Sequence, residues 1–334
     1  MRIGLTYDLR TDYLAKGLDA EQTAEFDAPE TIDALEAALR TQGFSTERIG
    51  NLQSLAARLI AGDRWDLVFN IAEGLRGLGR EAQVPALLDA WDLPYTFSDP
   101  ATMAVTLDKS VAKRVVRDQG IPTAPFAVIE SLEDLKGLCL AYPLFVKPLA
   151  EGTGKGIGAV SRVSTSRQLQ IACASLLERF RQPVLVESYL SGRELTVGIV
   201  GTGREARVLG VMEIQLDASF AEGGYSYENK EHYVGRVRYC LADDGEAMQA
   251  ADTALAAWRA LRCRDAGRVD LRSDEDGVPQ FLEVNPLAGL HPVRSDLVIL
   301  ARLAGLSYEA LIESIVGACL TRNGTVSAVH RATG

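Results

Sequence analysis

The sequence is poor in cysteine, has no long apolar run and has no excess of positive charge. Its five cysteines are dispersed without a CxxC spacing, which excludes a disulfide framework and is typical of buried thiols in a reducing compartment. No apolar run approaches the ~20 residues of a membrane span, and the start of the chain lacks a signal-peptide core. The formal net charge of −10 argues against nucleic acid as the main partner, because neutralising phosphates needs clustered Lys and Arg. We therefore expect a cytoplasmic globular protein that binds neither membrane nor nucleic acid.

Two common nucleotide-binding signatures are also missing. No GxGxxG follows the first predicted strand, which leaves an NAD-dependent dehydrogenase as a weak alternative. A glycine-rich turn stands in the middle of the chain instead, at Glu151–Gly158, and it does not satisfy the Walker pattern GxxxxGK[ST]. Alternating glycines let backbone amides approach phosphate oxygens closely, although such a turn can also be purely structural. We interpret this turn as a flexible lid over a phosphate group.

Strand and helix patterns divide the chain, whose 334 residues are enough for two or three domains. The predicted fold class is α/β and α+β, with a doubly wound parallel-sheet domain at residues 1–100, a small α+β subdomain at 101–186 and a C-terminal domain at 187–330. A helix is expected to begin at Ser131, with Asp134 completing a capping box. The other predicted helices are Thr31–Arg40, Leu52–Ile60, Pro85–Trp91, Asp108–Gln119, Leu169–Phe180, Glu246–Leu261, Asp296–Ala304 and Tyr308–Cys319. The predicted strands are Ile3–Tyr7, Leu67–Ile71, Ala127–Ile129, Leu144–Lys147, Ile157–Val163, Val184–Glu187, Leu195–Val200 and Val208–Ile214.

Two segments separated by the turn signal Asp276-Gly277 predict a β-hairpin at Arg268–Asn285. Because side chains alternate along a strand, one face of each strand is polar, with Arg268 and Asp270 on the first strand and Glu283 and Asn285 on the second. If the two polar faces coincide, three oxygen-bearing side chains and an arginine converge. Such oxygen ligands suit Mg²⁺, whereas a solvated polar face is the alternative.

Seven motifs in chain order extend this interpretation. They are Leu107–Lys109, Phe145–Pro148, Glu151–Gly158, Val186–Leu190, Gly192–Thr196, Gly267–Asp270 and Leu282–Pro286. Together they resemble the ATP-grasp superfamily and, within it, the D-alanine–D-alanine ligase family, over nearly the full chain. The resemblance implies an ATP-grasp fold that holds ATP between two α+β lobes, behind an N-terminal pre-ATP-grasp domain. It also implies a homodimer formed through the first domain.

The same resemblance implies roles for individual residues. The predicted ATP-binding residues are Lys109 and Lys147 for the phosphates, Glu151, Gly152, Thr153 and Lys155 for the lid, Glu187, Tyr189 and Leu190 for the adenine, and Glu194 for the ribose. The predicted ligands of two Mg²⁺ ions, for which Mn²⁺ is an alternative, are Asp270, Glu283 and Asn285. The predicted catalytic residues are Arg268 beside the transferred phosphoryl group, Lys230 in the omega-loop region and Ser295 at the second substrate's carboxylate.

The sequence departs from the family pattern where the first substrate is expected to bind. The family's glycine-glycine-x-Ser-x-Glu segment is replaced by Thr6–Tyr13, which contains no Glu. Glu73-Gly74 stands where a His-Gly is usual, and Thr153–Gly156 stands where two serines are usual. We therefore expect a positively charged donor group to be held by acidic residues, namely Asp8, Asp12, Glu25, Asp27 and Glu73, with a solvated acidic loop as the alternative.

The expected function is ATP-dependent amide formation between a small carboxylate and an amine, through an acyl phosphate. Amino acids are the expected substrates. The alternative is a non-catalytic ATP-binding regulator with the same fold. The complete metal and arginine set of the hairpin counts against that alternative, because a binding module needs no complete metal pair.

Overall fold

The first hundred residues build a three-stranded parallel sheet. The computed structural model describes residues 1–216 and 235–324. The strands are β1 (Arg2–Thr6), β2 (Ser45–Gly50) and β3 (Leu67–Asn70), in the order β2-β1-β3. β1 pairs in parallel with both neighbours, and β3 is buried along its whole length, as its continuous apolar run predicts. The helices of this part are α1 (Arg10–Ala15), α2 (Pro29–Thr41), α3 (Leu52–Ile60) and α4 (Gln83–Ala90).

The middle of the chain forms a four-stranded antiparallel sheet. Its strands are β4 (Phe126–Ile129), β5 (Leu144–Pro148), β6 (Arg162–Val163) and β7 (Val184–Ser188), in the order β4-β7-β5-β6. The helices of this part are α5 (Pro100–Leu107), α6 (Lys109–Asp118) and α7 (Ser166–Phe180). Asp108 caps the N-terminus of α6, because its side chain accepts hydrogen bonds from the amides of Ser110 and Val111.

The C-terminal part forms a five-stranded antiparallel sheet in the order β10-β9-β8-β11-β12. Its strands are β8 (Glu194–Val200), β9 (Arg207–Leu216), β10 (Val237–Leu241), β11 (Ala266–Ser273) and β12 (Pro279–Asn285). The helices are α8 (Gly245–Ala260), α9 (Asp296–Leu303) and α10 (Tyr308–Arg322). In the described parts of the chain no single helix is long and apolar enough to cross a membrane, and only α9 with α10, as a pair bent by 109°, meets such a test.

Two predicted elements are wrong in part. The helix expected from Ser131 is a 3₁₀ helix at Leu132–Gly137, although its capping box with Asp134 is present. The strand predicted at Ile157–Val163 is reduced to the two residues of β6. A 3₁₀ turn at Ala159–Ser161 takes the place of its middle, because the Ser161 hydroxyl accepts a hydrogen bond from the Gly158 amide and closes the chain locally.

The N-terminal sheet and the C-terminal helices share one hydrophobic core. Ile3 of β1 and Leu35 of α2 belong to the same buried cluster as Leu297 of α9 and Ile312 of α10. Burying each such side chain stabilises the fold by roughly 1.5–3 kcal/mol. The shared core therefore holds the loops that follow β1 and β3 against the C-terminal sheet, where the cavities described below are found.

Candidate active site

The hairpin of β11 and β12 brings its two polar faces together. Arg268 lies opposite Asn285 and Asp270 lies opposite Glu283 in the antiparallel register. Asn285 Nδ2 donates a hydrogen bond of 3.2 Å to Asp270 Oδ2, which Arg268 also contacts. The hydroxyl of Thr196 on β8 donates to Asp270 Oδ1 at 2.9 Å. The coincidence of faces that the sequence left open is therefore confirmed.

A cavity of about 890 Å³, including its open mouth, lies beside this hairpin. The predicted residues that line it are Lys109, Lys147, Glu151, Lys155, Glu187, Tyr189, Leu190, Glu194, Asp270 and Glu283. We call it the nucleotide pocket. Its lining combines apolar walls with a few convergent charges, as small-molecule sites usually do.

Two buried lysines hold Glu187 in this pocket. Lys147 Nζ lies 2.7 Å from Glu187 Oε1, and Lys113 Nζ lies 2.9 Å from Glu187 Oε2. Burial disfavours the charged carboxylate, but the two lysines outweigh that effect and lower the pKa of Glu187 to about 2. Glu187 is therefore ionised at any physiological pH.

Flat and apolar groups line another part of the nucleotide pocket. The guanidinium carbons of Arg162 and Arg272 lie 4.4 Å and 5.6 Å from the ring centroid of Tyr189. Arg272 also pairs with Glu194 at 3.2 Å, and Leu190 adds buried apolar surface. A flat ring, apolar surface and a nearby carboxylate suit a purine with its ribose.

Glu25 of the N-terminal domain binds the glycine-rich turn through an ion pair and a hydrogen bond. Its Oε2 lies 3.1 Å from Lys155 Nζ, and its Oε1 accepts a 2.8 Å hydrogen bond from the Gly152 amide. Arg80 donates to both oxygens of Glu25 and, at 3.0 Å, to the carbonyl of Ala150. A Cβ atom at Gly152 would come within 2.5 Å of Glu25 Oε1, so a larger residue there would displace the Glu25 carboxylate from this position. In this structure Gly154, Lys155 and Ile157 of the turn line the nucleotide pocket.

A second cavity of about 680 Å³ adjoins the first, and we call it the substrate pocket. Lys109, Glu151 and Glu283 line both cavities. The other predicted residues in its lining are Gly152, Thr153, Arg268, Asn285, Glu25 and Glu73. Glu81, which the sequence analysis did not single out, also lines it.

Glu73 and Glu81 are crowded carboxylates. In the part of the chain that the structure describes, neither makes a hydrogen bond or an ion pair. Burial and the neighbouring Glu81 raise the pKa of Glu73 well above its usual value. Burial also raises the pKa of Glu81 to about 7, with Glu25 adding to the effect and Arg80 opposing it. A cation entering the substrate pocket would relieve this repulsion.

We expect the replacement Glu81→Gln to stabilise the protein more at pH 8 than at pH 5. A carboxyl whose pKa is raised from 4.5 to about 7 in the folded state is protonated more readily there than in the unfolded chain, so stability is lost as pH rises through that window. Glutamine does not ionise, so the replacement should raise the free energy of unfolding by roughly 1–3 kcal/mol at pH 8 and by severalfold less at pH 5. Urea unfolding at both pH values measures the difference, and an equal gain at both would contradict it.

The remaining predicted residues lie elsewhere. Ser295 lines neither pocket. Its hydroxyl accepts a 2.9 Å hydrogen bond from the His291 amide within the loop before α9. Lys230 lies outside the described residues. Asp8 accepts hydrogen bonds from the Tyr13 hydroxyl and from the Gly74 amide, so it joins two loops, and Asp12 is exposed. The catalytic roles assigned to Ser295 and Lys230 stay predictions.

The candidate metal ligands fit a magnesium ion by their donor chemistry. Within residues 1–216 and 235–324 no group of three or more His, Cys, Asp or Glu side chains is arranged to hold a metal. Mg²⁺ usually takes only one or two carboxylates and completes its shell with water and phosphate. Asp270 and Glu283 form such a pair at the edge of the nucleotide pocket, beside the amide of Asn285. Arg268 contacts Asp270, and Lys109 Nζ lies 3.3 Å from Glu283, so positive charge already gathers at this pair.

Sequence reasoning missed several residues of the site, among them Lys113, Arg272 and Glu81. Lys113 follows Lys109 by four positions on α6, and this helical spacing would have placed both on one face. Arg272 continues the alternation of Arg268 and Asp270 along β11, so the period of two would have found it. Glu81 lies in the short 3₁₀ turn Arg80–Ala82, and no local pattern marks it.

Known proteins resemble this chain in sequence and in fold. The family description "D-ala D-ala ligase C-terminus" matches residues 115–317. A D-alanine–D-alanine ligase of Bordetella petrii is 35% identical over 268 residues, which cover 79% of this chain and 78% of that protein. A protein of Sinorhizobium fredii named "Uncharacterized protein y4sG" is 37% identical over 259 residues, which cover 75% of this chain and 73% of that protein.

The structural match covers the whole chain. A D-alanine–D-alanine ligase from Bacillus anthracis, crystallised in complex with ATP, superposes with a TM-score of 0.71 at 22% identity over 100% of both chains. This likeness confirms the expected ATP-grasp fold with a parallel-sheet domain in front of it. The boundaries predicted between the three domains stay predictions.

Proposed function

The chain belongs to the D-alanine–D-alanine ligase family, and on this premise we propose that it is an ATP- and Mg²⁺-dependent enzyme joining a carboxylate to an amine. The reaction would pass through an acyl phosphate. The observation that carries this proposal is the shared wall of the two cavities. Lys109, Glu151 and Glu283 line both, so a phosphate in the nucleotide pocket and an acid in the substrate pocket would meet there.

The chemistry fits the residues at this wall. A carboxylate is a poor electrophile until one of its oxygens becomes part of a good leaving group. The substrate carboxylate would attack the γ-phosphorus of ATP and release ADP, while Lys109 and Lys147 offset the charge of the transferring group. Magnesium, when bound at Asp270, Glu283 and Asn285, supplies further neutralisation of phosphate charge.

Amide formation would follow in the substrate pocket. The amine nitrogen attacks the acyl carbon, inorganic phosphate leaves with the bridging oxygen, and the ammonium proton is lost to solvent or to a nearby base. Arg268 lines this pocket and carries a fixed positive charge that would stabilise the tetrahedral oxyanion. The glycine-rich turn, held by Glu25, would act as a lid that keeps water from the acyl phosphate.

Amino acids are the substrate class that the pocket supports best. Glu73 and Glu81 line it without a bonded partner in the described parts of the chain, and an ammonium group would supply the missing cation. D-alanine, after which the family is named, is therefore one member of the class that we propose. The choice between D- and L-amino acids, the cytosolic location and dimerisation through the first domain stay predictions.

We expect Glu73→Gln to raise the KM of the donor amino acid by about tenfold or more, because a hydrogen bond to a charged group contributes about 1.5–3 kcal/mol. The KM of ATP should change little, since Glu73 does not line the nucleotide pocket. Steady-state kinetics with each substrate varied in turn measures both constants. Glu178→Gln on the exposed face of α7 is the matched control. Unchanged donor kinetics would remove Glu73 from the substrate site.

The second candidate function is an ATP-binding protein without ligase activity. The arginine and two carboxylates gathered beside the nucleotide pocket favour the enzyme, because a binding module gains nothing from them. Thermal shift measurements give a first test of ATP binding, which both candidate functions require. Mg-ATP should raise the melting temperature and NAD should not, since a ligand that binds only the folded state stabilises it.

Oxygen-18 transfer tests the acyl phosphate. A substrate acid labelled in its carboxylate should pass one ¹⁸O into inorganic phosphate, because the oxygen that attacks phosphorus leaves with it. Release of AMP with ¹⁸O in its phosphate would show activation as an adenylate instead and would overturn the proposed mechanism. ATP binding without turnover on any acid and amine would favour the regulator.

A further inference from the structure

Lys113 is a charged side chain buried in the interior of the protein. It lies on α6 with none of its surface exposed. Its Nζ is 2.9 Å from Glu187 Oε2 and donates a 3.3 Å hydrogen bond to the carbonyl of Phe281 on β12. The ring centroid of Phe126 lies 5.5 Å away. Lys113 does not line the nucleotide pocket, so it reaches that pocket only through Glu187.

Both oxygens of Glu187 are held by lysines. Oε1 lies 2.7 Å from Lys147 Nζ, and Oε2 faces Lys113. Glu187 is 2% exposed and Lys147 is 5% exposed, so water screens these charges weakly. The carboxylate thus joins a lysine that lines the nucleotide pocket to a lysine behind it.

The charges of these three groups do not cancel. Glu187 with Lys147 alone would be neutral, and a neutral pair offers little to a polyphosphate. With Lys113 present, the group of two lysines and one carboxylate carries one net positive charge.

We propose that Lys113 is a positioning residue of the nucleotide site: a buried counter-ion that lets Glu187 hold Lys147 in place without cancelling its charge toward the nucleotide phosphates. The inference rests on the proposed function, because it takes the ligand of the pocket to be Mg-ATP. It also assigns Glu187 to the orientation of Lys147 in place of the adenine contact that the sequence predicts. Lys113 touches no substrate and acts only through Glu187.

A double-mutant cycle tests this role. The variants are Lys113→Met, Glu187→Gln and the double variant, and calorimetry measures the Kd of Mg-ATP for each. We expect Lys113→Met to weaken Mg-ATP binding about tenfold or more, because Glu187 then neutralises Lys147. In the Glu187→Gln background the same change should alter the Kd by less than about threefold, since the carboxylate that Lys113 balances is gone. Methionine fills a similar volume, so packing is preserved.

Control measurements separate this role from a structural one. Lys136→Met removes the same charge from an exposed side chain and should leave the Kd unchanged. If Lys113 were needed only for packing, Lys113→Met would weaken Mg-ATP binding equally with Glu187 and with the Glu187→Gln replacement. That result would overturn the inference. A Kd of Lys113→Met equal to that of the unmodified protein would also overturn it.

Two further outcomes are distinguishable. If Lys113→Met does not fold by circular dichroism, Glu187→Gln and the double variant still decide, because a tenfold difference between their Kd values contradicts the account. If the unmodified protein does not bind Mg-ATP at all, the proposed function fails before the role of Lys113 is reached.

Discussion

Replacing Asp270 by asparagine is expected to lower the rate of ADP release by at least about 100-fold while the protein stays folded. Asp270 faces Glu283 across the hairpin and lies at the edge of the nucleotide pocket. Asparagine has nearly the same shape but lacks the charge that holds a divalent cation against phosphate repulsion. The loss should therefore be smaller at high Mg²⁺, with an apparent Mg²⁺ requirement raised above that of the unmodified protein.

A matched variant lies on the same hairpin. Asp276 occupies its exposed turn, so Asp276→Asn removes the same charge at a distance from the pocket and should keep normal activity. Initial rates over a Mg²⁺ series measure both variants. An Asp270→Asn protein with the normal rate and the normal Mg²⁺ dependence would show that this carboxylate holds no metal.

Arg268→Met is expected to lower kcat by about 10²–10³-fold, the loss typical of removing one donor to a developing oxyanion. The Kd of Mg-ATP should change only a few-fold, because Arg268 lines the substrate pocket and not the nucleotide pocket. Its neighbours Asp270 and Asp296 hold its charge firmly and raise its pKa against the effect of burial, so it is ionised throughout the working pH range. Steady-state kinetics and calorimetry together separate the two quantities.

The conservative variant sharpens this test. Arg268→Lys keeps the charge beside Asp270 but loses the planar fork, so its kcat should lie between those of the unmodified protein and Arg268→Met. If Arg268→Met weakened ATP binding and left kcat unchanged, the arginine would belong to the nucleotide site and the assigned role would be wrong.

Local patterns in the sequence predict much of the fold. The helix at Leu52–Ile60 has the predicted bounds, because its apolar stripe and the capping side chain of Asn51 are local signals. The strand β2 was missed, since its residues Ser45–Gly50 are mostly polar and it is an edge strand. α1 was missed for a similar reason, because a six-residue helix spans less than two turns and has almost no periodicity.

The candidate site is predictable only where its residues are ordered along strands. The hairpin register brings four predicted residues together because alternation and a tight turn determine which side chains meet. The contact between Glu25 and Gly152 joins positions 127 residues apart. No local pattern encodes such a contact. The same holds for the pairing of Glu187 with Lys113, which depends on how α6 packs against β12 and β4.

The most direct test of the central claim is ADP release with Mg-ATP across pairs of amino acids of both configurations, with mass spectrometry of each product. We expect at least one pair to release ADP and phosphate and to form a new amide in equal amounts, with Asp270→Asn inactive on that pair. ADP release with no amide on any pair, or amide formation that does not depend on ATP, would contradict the claim that this protein is an ATP-dependent amino-acid ligase.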